Sequence, residues 1–483
     1  MSVKPSRRRI AVVSGLSVLG AADVFAKLMR ALSACSPQEL PEVLFEQDPV
    51  HAEKNRGATD LLPSGTKIHV FDSVRDLAGR DVDTVVLPCF LSQTFLNEIE
   101  GETTVRIVNA MDALRRHLET RYPGAKRLGI LTSDYVRSQA LFERAFPGEH
   151  WQLVYPRDAV QSDGVMAAVY GPRGIRAGCV EGAPVEQLNE ACRDLAEQGA
   201  EVIVPGCTEI PLLLAALDAG GVPVVDSNAV YAEYAASSPA GHRRKPFKIG
   251  IVGGVGPAAT VDFVDKIVRS TPATRDQDHI KVVVEQNPQI PDRTANLIGD
   301  GADPTIAIYA TCKRLEADEA DIITIPCNTA HAFVERIQPY LSIPVVNMLR
   351  ETAQYIRNHY GNCRMIGLLA TNGTVASRVY HEALAAAGFD VLVPDDANQR
   401  CVMNAIYGTK GVKAGYTTGE CVDDLQQAMA SLVMRGAEVL ILGCTELPLL
   451  QEQNEAFSIA GKSVVVLDPT LILARKCVEL SQA

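Results

Sequence analysis

The sequence repeats itself once at a nearly constant distance, and that repeat constrains the fold more than any other feature. Arg9-Ile10-Ala11-Val12-Val13-Ser14-Gly15 returns as Lys248-Ile249-Gly250-Ile251-Val252-Gly253-Gly254, and Leu87-Pro88-Cys89 returns as Ile325-Pro326-Cys327. Residues 128–132 return as 366–371 with one position shifted in identity. Pro205-Gly206-Cys207-Thr208-Glu209-Ile210-Pro211 returns as Leu442-Gly443-Cys444-Thr445-Glu446-Leu447-Pro448. The first cysteine recurs after 238 positions (89 to 327) and the second after 237 (207 to 444). A near-constant offset over the whole length marks a tandem duplication. The expected domains are residues 1–236 and 247–483, each long enough for a full core. Between them, residues 237–246 read as a small, basic, helix-breaking linker.

Each half alternates short β-branched runs with longer amphipathic segments rich in Ala and Leu. That is the pattern of an α/β protein with parallel sheets. Within each half the unit of a strand followed by a cysteine occurs twice, 117 positions apart in the second half (327 to 444). The expected architecture is two tandem halves, each of two similar parallel-sheet lobes around a cleft, with one cysteine per lobe. Open α/β sheets place ligands at the carboxyl ends of their strands, where these cysteines stand.

Two thiols facing one another across a cleft suit one reaction. A thiolate removes a proton from one face of a carbon and a thiol returns one to the other face, giving the mirror image. A lone cysteine at a strand end is more often a packing residue. Here Asn328 and Thr329 follow Cys327, and Thr445 and Glu446 follow Cys444, where a core would prefer Val or Ala. Their company favours chemistry for the pair.

The net charge of −12 argues against a nucleic-acid partner, because a phosphate backbone selects a basic surface. No stretch approaches the length of a membrane span. The basic cluster Arg7-Arg8-Arg9 lacks the apolar run of a secretory signal. Twelve cysteines with no CxxC pair fit neither a disulfide framework nor a zinc site, so the expected compartment is a reducing cytoplasm and no metal is expected. The sequence leaves room for a homo-oligomer.

The second half carries further candidates. After the strand 249–252 comes Gly253-Gly254-Val255-Gly256-Pro257-Ala258-Ala259-Thr260, a turn that opens a helix whose N-terminus would hold an anion. Its spacing is neither a dinucleotide fingerprint nor a P-loop, and a carboxylate is the better guess. In Pro288-Gln289-Ile290-Pro291-Asp292-Arg293-Thr294, Arg293 is the residue type for two-point carboxylate binding, with an ordinary surface arginine as the rival reading. Lys413, between glycines in Gly411-Val412-Lys413-Ala414-Gly415, would be a second cation. Thr371 and Thr374 follow another strand and would line the same cleft.

These motifs, in this order, resemble the aspartate racemases of the Asp/Glu racemase superfamily, which work without pyridoxal phosphate. The resemblance covers about residues 247–483. It implies Cys327 and Cys444 as the acid/base thiols and no cofactor. It implies Asn328, Thr329, Thr371 and Thr445 around the α-carboxylate and amine, with Arg293 and Lys413 on the distal carboxylate. Gly254 and Glu446 complete the expected substrate-binding set, the role of Glu446 being left open. Related glutamate racemases carry His where this chain has Glu446, which favours the aspartate branch. The expected function is cofactor-independent racemisation of an acidic amino acid, most closely aspartate. The alternatives are a maleate-type isomerase, a glutamate or broad-specificity racemase, or a non-catalytic binder of amino-acid-like ligands.

The first half keeps Cys89, Cys207, Thr208 and Glu209, and Arg176 stands where the second half has Lys413. It loses much else. Ser14-Gly15-Leu16-Ser17-Val18 replaces the glycine turn, Phe90 and Leu91 replace Asn328 and Thr329, and Lys54 falls at the position of Arg293. Three readings compete: a structural or dimerisation half, a regulatory binder of a small acid, and a second catalyst for another substrate. The first two together are preferred, with Cys89, Cys207 and Thr208 as a vestigial or second site.

Overall fold

In the computed structural model the described residues are 8–36, 39–47, 63–148, 150–239 and 245–482. The chain divides into two compact units, Met1–Lys245 and Pro246–Ala483. Of the expected linker, Ser237 still belongs to the helix Ser227–Ser237, and residues 240–244 lie outside the described residues.

Unit 1 contains strands Arg9–Ser14 (β1), Glu42–Gln47 (β2), Thr84–Val86 (β3), Arg106–Ile107 (β4), Arg127–Thr132 (β5), Gln152–Val154 (β6) and Val202–Gly206 (β7). They form two sheets, ordered β2-β1-β3-β4 and β6-β5-β7, with every pairing parallel. Unit 2 contains Lys248–Gly253 (β8), Lys281–Gln286 (β9), Ile322–Thr324 (β10), Met365–Leu369 (β11), Asp390–Leu392 (β12), Val439–Leu442 (β13), Asn454–Ile459 (β14) and Lys462–Leu467 (β15). Its sheets are ordered β10-β8-β9 and β12-β11-β13-β15-β14.

A shared device shows that all four lobes are variants of one plan. In each, a carboxylate just before one strand accepts the backbone N–H at the start of the central strand beside it. Asp83 holds Arg9 at 2.7 Å and Asp321 holds Lys248 at 2.7 Å. Glu201 holds Arg127 at 2.8 Å, and Glu438 holds Met365 at 3.0 Å. These bonds occupy donors that the sheet ladder leaves free, and they fix where each central strand begins.

The central strands are buried on both faces, as parallel sheets between helices must be. Ile10, Val12, Leu128 and Ile130 pack into one core of unit 1, while Ile249, Ile251, Phe263 and Leu473 do so in unit 2. Each such side chain contributes about 1.5–3 kcal/mol through burial.

One strand departs from the all-parallel expectation. β14 runs antiparallel to β15, joined through Ala460 (φ 52°) and Gly461 (φ 72°). Two positive φ values in a two-residue connection are the conformation that suits the twist of a tight hairpin. The hairpin gives that sheet an antiparallel edge.

The change of offset from 238 to 237 also has a structural cause. Gln161 and Gln399 are equivalent: the side-chain Nε2 of Gln161 donates to Thr132 O and Asp134 Oδ1, and that of Gln399 to Ala370 O and Asn372 Oδ1. Tyr170 and Tyr407 also correspond, yet they stand 237 apart. Unit 1 therefore carries one extra residue between them. It is absorbed by a π-helical stretch, Gln161–Met166, where unit 2 has the regular helix Asp396–Tyr407. Such bulges are the usual way a helix takes in an extra residue.

Candidate active site

The cysteines of unit 2 lie just beyond their strands. β10 ends at Thr324, and Ile325-Pro326 carries the chain to Cys327. β13 ends at Leu442, and Gly443 precedes Cys444. Both are 7% exposed. They line one narrow cavity together with Val255, Arg293, Thr294, Asn328, Thr329, Thr371, Tyr407, Lys413, Thr445 and Glu446. A larger, open hollow, whose walls include Arg336, Arg350 and Arg357, contains neither cysteine.

Every expected substrate-binding residue reaches the cavity except Gly254. Its φ of +84° serves the turn, and its N–H is spent on Thr260 Oγ1 at 3.2 Å. The anion expected at this loop is supplied by the chain itself. A Cβ at Gly256 would lie 2.5 Å from Glu446 Oε1, so the loop backbone packs directly on that carboxylate.

Glu446 is the hub of one side. It accepts from Lys413 Nζ at 2.6 Å, from Cys444 Sγ at 3.0 Å and from Thr445 Oγ1 at 3.3 Å. Burial, and then the Glu446 charge, push the Cys444 thiol well above its ordinary range. Burial acts against the Lys413 ammonium, but Glu446 outweighs it and the ammonium is held. Lys413 is thus not the free second cation that its glycine-flanked position suggests, because its charge is already matched.

The other side is cationic. Arg293 opens the helix Arg293–Ile298, whose N-cap Asp292 accepts from Ala295 N. Its Nη1 donates to Ile290 O and Pro291 O, and its Nη2 to Val255 O at 3.1 Å. Burial opposes the guanidinium's charge, but the neighbouring Cys327 sulfur helps to keep it protonated. One thiol thus has a guanidinium for company and the other a carboxylate.

Two buried donors are left over. Arg293 Nε and Asn328 Nδ2 have no partner, although Asn328 is only 2% exposed. Such a group costs about 1–3 kcal/mol unless something binds it. Around them Thr329, Thr371, Thr374 and Thr294 form a hydroxyl cluster, with Thr329 Oγ1 2.7 Å from Thr374 Oγ1 and Thr294 Oγ1 3.2 Å from Thr371 Oγ1.

The loop after Cys327 is held by His331. Its Nε2 accepts from Met348 N at 3.1 Å, so its Nδ1 carries the proton and donates to Cys327 O at 2.9 Å. Burial lowers its pKa to about 4, so it stays neutral.

Sequence reasoning missed Val255, Thr294, Tyr407 and Tyr380. Tyr407 lies 5.3 Å from Lys413 Nζ, and its match to Tyr170 at the repeat offset was the available signal. Tyr380 is fully buried and donates to Asn328 Oδ1 at 2.6 Å.

Unit 1 keeps part of this arrangement. Arg176 Nε lies 2.7 Å from Glu209 Oε1, and Thr208 Oγ1 donates to Ser17 Oγ at 2.9 Å. Burial and Glu209 raise both Cys89 and Cys207. Phe90 and Phe142 stand where unit 2 has Asn328 and Tyr380, and their rings stack 6.0 Å apart. The expected counterpart of Arg293, Lys54, lies outside the described residues.

Among the described residues no cluster of His, Cys, Asp or Glu is placed to hold a metal, and no helix is long and apolar enough to cross a membrane. All twelve cysteines are free.

The Asp/Glu/hydantoin racemase family model matches residues 13–235 and again 252–477. The broad-specificity amino-acid racemase RacX of Bacillus subtilis (strain 168) is 28% identical over 236 residues, 48% of this chain and 96% of that protein. A glutamate racemase of Shewanella baltica (strain OS185) is 30% identical over 178 residues, 36% of this chain and 60% of that one. Among solved structures, the Picrophilus torridus aspartate racemase is 29% identical, with a TM-score of 0.43 over 49% of this chain and 94% of its own.

Proposed function

The chain belongs to the Asp/Glu/hydantoin racemase family, matched once in each unit, and from that premise we propose that unit 2 racemises an acidic amino acid, aspartate first, through Cys327 and Cys444. One observation carries the reading. Arg293 and Asn328, which line the cavity together with the two thiols, each carry a buried N–H donor without a hydrogen-bond partner, Nε and Nδ2. They are what a substrate carboxylate, and the enolate formed from it, would need.

The charge balance points the same way. Lys413 and Glu446 cancel, which leaves Arg293 as the charge in excess among the lining residues. That charge faces a carboxylate of an acidic amino acid while Cys327 is a thiol, and the Cys327 sulfur when it acts as the base. The balance also supports a broader second reading, since a single cation reads a distal carboxylate less strictly than two. The broad-specificity relative fits that reading.

In one direction Cys327, as the thiolate, takes the α-proton through its sulfur, and the C–H electron pair passes into the carboxylate as an enolate. Cys444 gives its S–H proton to the opposite face, the new C–H bond forms, and Cys444 is left as the thiolate. The reverse reaction exchanges the two roles. Preset donors act where the enolate charge develops, and removing one such donor typically costs about 2.7–4 kcal/mol. Glu446 holds the Cys444 proton in place until it is needed. The carbanion chemistry asks only for these thiols and donors.

Proton NMR of L-aspartate with the protein in D2O and no added cofactor tests this. The α-proton signal should fade as D-aspartate grows. A stable signal alongside demonstrable aspartate binding would reduce unit 2 to a binder.

A further inference from the structure

The cavity of unit 2 has a closed end and an open one. Asn328, Thr371 and the two cysteines are buried, whereas Tyr407 is 41% exposed. With a substrate's α-carboxylate on the buried Asn328 donor and its α-carbon between the thiols, the rest of the molecule runs outward, towards Tyr407. Tyr407 ends the helix Asp396–Tyr407, and its ring lies 5.3 Å from Lys413 Nζ. From the other lobe, Arg293 and Thr294 line the same cavity as its neighbours. The reader of the distal carboxylate and Tyr407 therefore share one end of the site.

The polar side chains around the rest of the cavity are fixed. Asn328 is held by Tyr380, Lys413 by Glu446, and Arg293 by three backbone carbonyls, while the threonines bond to one another. Displacing any of these breaks a hydrogen bond away from free water, which is unfavourable. Tyr407 differs, because its ring rests on Lys413 and its exposed edge can turn into solvent. A ring left two-fifths in water gains little from burial, so packing alone does not account for it. Unit 1 has the same arrangement: Tyr170 is 42% exposed and its ring lies 4.5 Å from the Arg176 guanidinium. The π-helical stretch keeps Tyr170 there despite the extra residue.

We propose that Tyr407 sets how long an acidic side chain unit 2 accepts. Its ring is the wall that the outer end of the substrate meets, and it is the wall that yields. The cavity is narrow, so the one methylene by which glutamate exceeds aspartate is accommodated only at the expense of that ring. A close-fitting site discriminates one methylene by roughly 10–200-fold. A smaller residue at 407 gives the longer side chain room and takes nothing from the thiols or from the donors to the α-carboxylate. Tyr407 acts in this way only if unit 2 is the racemase proposed above.

Racemisation of aspartate and of glutamate by the full chain, followed by chiral chromatography, gives the ratio of the two kcat/KM values. Tyr407→Ala should raise the glutamate-to-aspartate ratio at least about tenfold. Tyr407→Phe keeps the bulk of the ring and should leave the ratio within about twofold of the unmodified value. Loss of the ring from Lys413 affects both substrates alike and cancels in the ratio. If Tyr407→Ala fails to fold, Tyr407→Leu is read by the same ratio. With aspartate racemised by the unmodified protein, an unmoved ratio in the smaller variant, or an equal shift in Tyr407→Phe, would overturn the role of Tyr407 alone. An unmodified protein inactive on both amino acids would overturn the racemase reading of unit 2 and the role of Tyr407 with it.

Discussion

Tyr380 donates its hydroxyl to Asn328 Oδ1 at 2.6 Å, and that one bond decides which end of the amide is left for the cavity. With the oxygen engaged, Nδ2 remains as the free donor. Tyr380→Phe keeps the packing and removes only the hydroxyl. It should lower kcat/KM by roughly 1–3 kcal/mol, the scale of a buried hydrogen-bonding group left unsatisfied. In an Asn328→Ala background the same change should have little further effect on kcat/KM. Additive losses would show that Tyr380 supports the fold and not the orientation of Asn328.

Each thiol is expected to serve one face. Cys327→Ser and Cys444→Ser should each abolish racemisation, because a hydroxyl is a far weaker acid and base in such a role. Each variant should keep deuterium exchange into one enantiomer only, which chiral chromatography with mass detection resolves. Full racemase activity in either serine variant would end the two-base assignment.

Arg293 provides the excess positive charge and one free donor. Arg293→Ala should cost roughly 2–4 kcal/mol in kcat/KM for aspartate and much less for alanine, which lacks the distal carboxylate. The Nη bonds to Val255, Ile290 and Pro291 define the competing outcome. Equal losses for both substrates would mean that Arg293 acts on the α-carboxylate or on those loops.

His331 makes unit 2 sensitive to acid. Its folded pKa of about 4 lies below the ordinary imidazole value of about 6.5, so protons favour the unfolded chain. The stability held by the neutral ring is complete above pH 6.5 and is lost as pH falls from there towards 4. The loss amounts to roughly 3 kcal/mol. His331→Gln cannot titrate, so it should be the less stable form at pH 7 and the gap should narrow towards pH 4. Urea denaturation at several pH values measures the gap, and a constant gap would rule out His331 as the source.

The duplicated framework was legible because buried parallel strands are short apolar runs that end abruptly, and four of them end at cysteines. The motif loops also converge as the sequence implied, from Arg293 and Thr371 to Lys413 and Glu446. What stayed hidden was pairing in space. Nothing local says that Lys413 is neutralised by Glu446, 33 residues on, or that Tyr380 reaches back 52 residues to Asn328. Gly254 misled because a glycine required by a turn looks the same in sequence as one that makes room for a ligand. The β14–β15 hairpin was readable in principle from Ala460-Gly461 between two alternating runs, but the parallel pattern around it obscured the signal.

The π-helical stretch at Gln161–Met166 has a bearing on how the two units could diverge. One residue added to a regular α-helix turns everything after it by about 100°, which would swing Tyr170 away from Arg176. Widening a single turn takes up that rotation where it arises. Unit 1 thus has a point of slack in its chain, ahead of the loop that carries its cation. Changes of length are tolerated there while the groups on either side keep their bearings, so the two copies can differ in residue count and still share one frame.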